Sequence, residues 1–567
     1  MKLLRINLNN KDTNYQKISE KFLTIGGRGL IAILMNEEVR AQCYPLGPEN
    51  KLIISNGPLA GLGISSAGRI SIGAKSPLTG GIKESNSGGT FADSMAKMGL
   101  RAIILEGMVK EDKWYFLKID EEKVEFISAD DYIGLGNYAT AKKLFKRFGN
   151  KYSLITIGQA GEQKLINSGL ALTDLHNRPG RMAARGGLGA VMGSKKIKGI
   201  LLNKKGTYKN YKTDSEKFEA VRKAYHKIIN ECERIKVLAE YGTASTVMDA
   251  QRVGALPTFN FSRGQFDGAE NLSGENIYNL IKERGGEGKN TEACMSGCLI
   301  RCSNVFPDKK GKEIVAPLEY ETLGLIGSNL GISDPDEVAK INYICNDYGL
   351  DTIETGGALG VMAEAGLVKF GDAKEFINIL KEVPKNKWRG RMVGMGTGIT
   401  AKFLNVRRSP VVKNQCMSAY DPRAVKGTGV TYATSPMGAD HTAGLTIFMP
   451  IDHHNKKDQV KISRLMQISR AAYDSLGLCV FLMAATASHP DIIVALLNSL
   501  YGLELKPEYI NELGKLTISL EKKYNKDARM GKNDDRIPEF FKEETLPPFD
   551  LTWDIEDKEL DEIFLDL

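Results

Sequence analysis

Three cysteines stand at even spacing in Cys294-Met-Ser-Gly-Cys298-Leu-Ile-Arg-Cys302, far denser than chance for eight cysteines in 567 residues. Without a secretion signal, clustered thiols point to metal or catalysis before disulfides. On a helix they would share one face; in a loop they could wrap a cubane. Three thiolates plus a distant fourth make an iron–sulfur inventory. Zinc and buried structural thiols are the alternatives, and no histidine lies nearby to complete a zinc set. Cys479 is a candidate fourth ligand, although an isolated cysteine is as readily a core residue. It closes the hexapeptide Asp474-Ser475-Leu476-Gly477-Leu478-Cys479, which is echoed by Asn346-Asp347-Tyr348-Gly349-Leu350-Asp351. Two copies suggest two similar halves of a ligand site, or simply two G-L turns capping helices.

Two titratable candidates remain. Glu321 lies in Glu319-Tyr320-Glu321 just after the cysteines, and His441 follows Gly438-Ala439-Asp440 in a loop rich in small residues. On spacing alone Glu321 reads as a solvated or helix-start acid and His441 as a structural histidine. His453 and His454 read as members of a solvated loop, with a place facing substrate as the alternative.

Glycine and arginine are interleaved in three clusters. These are Gly26-Gly27-Arg28-Gly29, then Gly68-Arg69 through Asn86-Ser87-Gly88-Gly89, and Arg178-Pro179-Gly180-Arg181 through Arg185-Gly186-Gly187-Leu188-Gly189. Backbone N–H groups without a nearby Cβ, together with guanidinium forks, suit phosphate. Tight turns are the plain alternative for any single cluster. No Walker A sequence is present, and Gly187-x-Gly189-x-x-x-Gly193 has the wrong spacing for a dinucleotide fingerprint.

These residues need elements to position them. Of the 59 glycines, 27 fall in the first 200 residues, among short apolar runs such as Leu52-Ile53-Ile54, Ala102–Leu105, Leu154–Ile157 and Ile200–Leu202. Such runs, bounded by glycine and proline, predict strands. Residues Lys204–Asp214 are polar and read as a linker. Beyond them, Ser215–Tyr241, Pro335–Tyr348 and Val460–Leu478 have helical periodicity. Asp334-Pro335-Asp336-Glu337 has the composition of a helix start. The acidic end, Leu551–Leu567, is expected to pack Trp553, Ile555 and Phe564 on the body.

A net charge of +8 over this length suits a few anionic ligands and not a nucleic-acid groove. The start has no apolar signal segment, and the longest apolar run, near Leu476–Thr486, is too short for a membrane span. A soluble, cytoplasmic chain is expected.

Together these motifs, in this order, resemble the tungsten-containing aldehyde ferredoxin oxidoreductase family over nearly the whole chain. The resemblance implies an α+β fold: a β-sheet base domain for the cofactor (residues 1–208), then two mainly helical domains (209–412 and 413–567). It implies tungsten, or molybdenum, held by two pyranopterins whose phosphates are bridged by magnesium. Arg69, Asn86, Gly88, Gly89, Arg181, Ala183, Arg185 and Gly186 would surround the phosphates. Asn346, Leu350, Asp351, Asp474 and Leu478 would contact the pterins, and Cys294, Cys298, Cys302 and Cys479 would hold one [4Fe–4S] cluster. Glu321 and His441 would be the catalytic pair beside the metal. The glycine excess would then serve backbone lying against the pterins.

Three departures stand out. The family's usual triplet is C-x2-C-x3-C, one residue shorter than here, and Asn346 replaces the usual acid. The acid that helps bind an interface metal in the family is not evident near Lys340. The implied activity is oxidation of an aldehyde to a carboxylic acid, with electrons passing to ferredoxin or a small iron–sulfur subunit. A homo-oligomer is compatible with the family. The alternatives are low-potential reduction of acids or acyl compounds at the same cofactor, or a non-catalytic iron–sulfur electron-transfer subunit.

Overall fold

The computed structural model describes residues 1–121, 123–206 and 214–567. Most of the expected linker, and with it the first domain boundary, lies outside the described residues.

The chain is α+β, and its first part holds two six-stranded sheets. β1 (Lys2–Asn7), β2 (Asp12–Lys17), β3 (Leu52–Asn56), β4 (Ile70–Lys75), β5 (Ile82–Ser87) and β6 (Leu100–Glu106) run in the order β2-β1-β6-β3-β4-β5. The second comprises β7 (Tyr115–Ile119), β8 (Val124–Ser128), β9 (Tyr152–Thr156), β10 (Leu170–Leu172), β11 (Arg181–Ala183) and β12 (Ile197–Asn203). Read from its β8 edge, its order is β8-β7-β12-β9-β10-β11. Every strand thus occupies the place of the strand six earlier. The parallel pairs correspond too, β1 with β6 and β7 with β12. Helices of 12 residues, Gly27–Glu38 and Asn137–Phe148, follow the second strand of each half. Helices of 7 residues, Phe91–Lys97 and Leu188–Ser194, precede the sixth. The base is therefore an internal duplication.

Period-two alternation explains why the strands read as continuous apolar runs. Leu52, Ile54, Ile103 and Leu105 point to a core shared with Leu117, Ile155, Ile200 and Leu202 of the other sheet. Their neighbours Ile53, Ala102 and Ile104 point the opposite way, onto the helix Gly27–Glu38 and helices from the end of the chain. Leu154 and Leu201 pack outward on the helix Asn137–Phe148. Both faces of each sheet are covered, so polar alternation is lost.

The helical part follows its sequence signals with two differences. Asp334 caps the helix Pro335–Tyr348 by accepting from the Asp336 N–H at 2.8 Å. The stretch Ser215–Tyr241 is two helices, Ser215–Glu231 and Glu233–Tyr241, because Cys232 is extended. The helix expected over Val460–Leu478 spans Gln459–Ser475, its last residues having gone to the G-L turn. Trp553, Ile555 and Phe564 of the acidic end are buried in the core of the middle segment. No single helix among the described residues is long and apolar enough to cross a membrane.

Candidate active site

Each G-L turn seats on one half of the duplicated base. Gly477 (φ +67°) lies against Gly57, just after β3, and a Cβ on Gly57 would sit 1.9 Å from the Leu476 carbonyl oxygen. Gly349 (φ +76°) lies against Gly158, just after β9, with the same close approach of backbones. The residue before β4, Arg69, donates its N–H to the Gly477 carbonyl (3.2 Å), and the residue before β10, Gly169, donates to Gly349 (2.9 Å). Both turns also cap their helices, so the two readings of the repeated motif are compatible.

This overturns part of the glycine reading. Gly26, Gly27, Gly57, Gly158 and Gly180 admit protein backbone; on Gly27 a Cβ would meet the Asp474 carbonyl at 2.0 Å. Gly27, Gly57, Gly158 and Gly180 serve the seating of later segments on the base, and Gly26 packs within it on Asn56. Gly88 and Gly180 are both on the wall of the central cavity, and on Gly88 a Cβ would stand 3.0 Å from Cys294 Sγ.

That cavity, of about 1160 Å³, lies where both turns, the cysteine loop and the Asp440–His441 loop converge. Of the expected residues, Arg69, Asn86, Gly88, Arg181, Arg185, Cys294, Cys302, Glu321, Asn346, Leu350, Asp351, His441, Asp474 and Cys479 line it. Gly89, Ala183, Gly186, Leu478 and Cys298 stand behind the wall. Gly89 (φ +107°) packs on the Thr173 carbonyl and donates to the Cys294 carbonyl at 2.9 Å. Gly186 (φ +83°) makes room for the Lys83 stem.

The arginines divide by what they already hold. Arg28 is fully engaged, bidentate to Glu521 at 2.7 and 2.8 Å and close to Asp474 at 3.4 Å. Arg185 ties the base to three loops, through Asp351 (3.2 Å), Ser418 Oγ (3.3 Å), the Ala439 carbonyl (2.7 Å) and the Cys416 carbonyl. Neither is free for an anion. Arg69 donates to Asn86 Oδ1 at 2.5 Å, and Asn86 in turn to Asp474 at 3.3 Å. Arg181 differs: it is 5% exposed, and its Nε and Nη2 are buried without a partner. A buried guanidinium with idle donors on a cavity wall suits a bound anion such as phosphate. Arg470, one helical turn before Asp474, also lines the cavity with an idle Nε, and burial lowers its pKa to about 10.

The cysteine loop is not helical, which leaves the wrapping geometry. Ser66 joins the triplet to the fourth thiol: its carbonyl accepts from the Cys479 N–H (2.8 Å) and its Oγ lies 3.4 Å from Cys298 Sγ. A hydrogen bond from Cys294 pulls the Cys298 thiol down to about 6. Among the described residues, no three carboxylates, imidazoles or thiols are already drawn together around a single metal ion. Cys294, Cys302 and Cys479 on the cavity wall, with Cys298 just behind it, are soft donors whose chemistry fits an iron–sulfur cluster.

Glu321 and His441 meet on the wall of the same cavity. Glu321 Oε1 is 3.3 Å from His441 Nε2, and Glu321 Oε2 accepts from the Ala419 N–H at 2.9 Å. Burial raises the Glu321 carboxyl to about 8. Burial, reinforced by the positive charge of Arg185, Arg470 and Lys83, lowers His441 to about 3 against the pull of Asp440. Two groups shifted in opposite senses and facing one cavity are a site for proton transfer. Asp440 is held ionised by the buried Lys83 and by Arg185, despite its burial.

Sequence reasoning missed Arg470, Lys83 and Ser418. His453, expected in a solvated loop, is 8% exposed, lines the cavity and has an idle Nδ1, whereas His454 bonds the Val253 carbonyl at 2.8 Å. Arg470 had a signal: it stands four residues before Asp474 on the same helix. Ser418 had none.

Comparison with known proteins gives a single direction. The profile described as Aldehyde ferredoxin oxidoreductase, N-terminal domain, matches residues 3–204. That described as Aldehyde ferredoxin oxidoreductase, domains 2 & 3, matches residues 219–562. The tungsten-containing aldehyde ferredoxin oxidoreductase of Pyrococcus furiosus is 32% identical, over 96% of this chain and 92% of its own. The aliphatic sulfonate oxidoreductase WOR-like subunit of the same organism is 27% identical, over 92% and 85%. The solved active-site complex BamBC of benzoyl coenzyme A reductase shares the fold, with a TM-score of 0.81, 18% identity and coverage of 100% of this chain and 93% of that one.

Proposed function

The chain belongs to the aldehyde ferredoxin oxidoreductase family, a family of oxidoreductase enzymes, and from that premise we propose that it oxidises an aldehyde and water to a carboxylic acid, releasing two electrons and two protons. The observation that carries this reading is the Glu321–His441 pair at 3.3 Å, facing a cavity that also holds an idle buried arginine and the cysteine loop.

A tungsten or molybdenum bis-pyranopterin, with magnesium between its phosphates, would supply a Lewis acid for the aldehyde oxygen and take up the electrons. Arg181, Arg69 and Asn86 would hold its phosphates, and Asn346, Leu350, Asp351 and Asp474 its ring systems. Arg185 would act behind them, fixing Asp351 and the Asp440 loop. Cys294, Cys298, Cys302 and Cys479 would hold a [4Fe–4S] cluster that relays electrons to ferredoxin or a small iron–sulfur subunit.

The chain's own part is proton handling and orientation. Glu321, poised near neutral pH, accepts the proton of the attacking water as its oxygen bonds to the carbonyl carbon. His441 donates a hydrogen bond to the aldehyde oxygen as charge develops there. Leu445, Ile447, Phe448 and Met449 give the cavity an apolar wall and keep water scarce around the pair.

Metal analysis and two assays test the proposal. About four iron and one tungsten or molybdenum per chain, with oxidised viologen reduced by aldehydes, is the expected result. Turnover only from reduced viologen to acids or thioesters would reverse the direction, and iron alone without turnover would leave an electron-transfer subunit.

A further inference from the structure

The role given to His441 requires its proton on one particular ring nitrogen, and the residue that decides this is Ser418. Ser418 is fully buried, and besides the Tyr432 hydroxyl its Oγ has three hydrogen-bonding neighbours. Arg185 Nη1 donates to it at 3.3 Å, the His441 backbone N–H donates at 3.4 Å, and His441 Nδ1 lies 2.7 Å away.

A hydroxyl oxygen has two lone pairs and one hydrogen. A guanidinium cannot accept a hydrogen bond and does not lose its proton in a protein. A backbone N–H is equally fixed as a donor. Both lone pairs of Ser418 are therefore taken, and only its O–H is left for the shortest of the three contacts. Nδ1 must then be the acceptor, which leaves the proton of a neutral imidazole on Nε2.

Accordingly we propose that Ser418 is a positioning residue that locks His441 in the neutral Nε2–H tautomer, with Arg185 holding the serine in its donating orientation. The inference rests on the reading of His441 as the donor to the aldehyde oxygen. The surroundings favour a neutral ring: burial and the cations Arg185, Arg470 and Lys83 all oppose a charge on it. Asp440 does not compete, since its Oδ1 is 3.9 Å from Nδ1 and accepts from Thr442. The one rival for the serine proton is the Tyr432 hydroxyl, which is buried within reach of Ser418 and has no other partner. Nε2–H faces the unpartnered Glu321 Oε1 and the cavity, where a carbonyl oxygen would receive it. With the opposite tautomer, Nε2 would present a lone pair there and repel the charge that develops.

Neutron crystallography of the as-purified deuterium-exchanged enzyme reads the tautomer without reference to turnover. A deuteron on Nε2 alone, with the Ser418 deuteron directed at Nδ1, is expected. A deuteron on Nδ1, or a Ser418 deuteron directed at Tyr432, overturns the proposal. For Ser418→Ala, kcat is expected to fall about ten- to hundredfold with KM little changed, and deuterium to appear on Nδ1. Retention of the Nε2-only ring in Ser418→Ala would equally overturn it. If that variant does not fold, the wild-type neutron map decides. The two ideas fail separately: full turnover by His441→Ala removes the donor role, whereas the position of the deuteron tests the serine whatever the reaction.

Discussion

Gly57 and Gly477 meet backbone to backbone, the one just after β3 and the other in a turn 420 positions later, so that a Cβ on Gly477 would lie 2.8 Å from Gly57 Cα. Gly158 and Gly349 repeat the contact on the other half of the base. Gly57→Ala would drive a methyl into the Leu476 carbonyl, which is backbone and has no rotamer to yield. The substitution is expected to destabilise the protein by about 3 kcal/mol or more. Denaturant unfolding of the metal-free protein measures this, and a shift within 0.5 kcal/mol, the usual surface range, would contradict the packing.

Glu321→Gln removes the proton acceptor while keeping the side chain's shape. Turnover is expected to fall by about 10²–10⁴, with metal content unchanged. Metal analysis alongside a viologen assay separates loss of chemistry from loss of cofactor.

Arg181 and Arg185 should behave oppositely although both are buried arginines of one cluster. Arg181→Met costs the chain only the long ion pair of Nη1 with the exposed Glu319 (3.8 Å), because its Nε and Nη2 bond nothing in the chain. Stability is expected to hold or rise while pterin and tungsten or molybdenum content falls. Arg185→Met removes one donor from each of Asp351, Ser418, Ala439 and Cys416, and its melting temperature is expected to drop. Elemental analysis and thermal melts on both variants decide the matter.

The cysteines give a similar contrast. Cys298→Ser and Cys479→Ser are expected to lower iron to below half of wild type. Cys345→Ser should keep the iron, since Cys345 is buried in the core of the middle segment and far up in pKa, at about 12, mainly from burial.

The Glu321–His441 pair also imposes a pH signature on the metal-free protein. The folded pKa of Glu321, about 8, exceeds the ordinary 4.5, so the folded state holds the extra proton and stability is lost as pH rises through 4.5–8. His441 has the opposite shift, 6.5 to about 3, so the unfolded state holds the extra proton and stability is lost as pH falls through 6.5–3. Melting temperatures across pH should lose the alkaline decline in Glu321→Gln and the acidic one in His441→Gln. Unchanged profiles in both variants would contradict these assignments.

The strands, the capped helix Pro335–Tyr348 and the buried tail were legible because each rests on local signals: alternation, a capping aspartate, apolar residues at the chain end. The site was legible as far as its motifs reached, so the cysteine loop, Glu321, His441 and Arg181 all come to one cavity. What stayed hidden depends on contacts between distant segments. Arg28 and Arg185 look like Arg181 in sequence, and only the arrival of Glu521 and Asp351 makes them structural. Ser418 acquires its role solely from the loop that brings His441 to it. The glycines were read toward a ligand because their partner backbone lies in other domains.

The repeated order of strands has a chemical consequence. Two six-stranded halves in one chain each grip one G-L turn, yet the turns carry different groups: one ends in Cys479 beside the other thiols, the other in Asp351 bonded to Arg185. A cradle that is two-sided in its backbone is thus lopsided in what it offers, soft sulfur at one half and an arginine-bound carboxylate at the other.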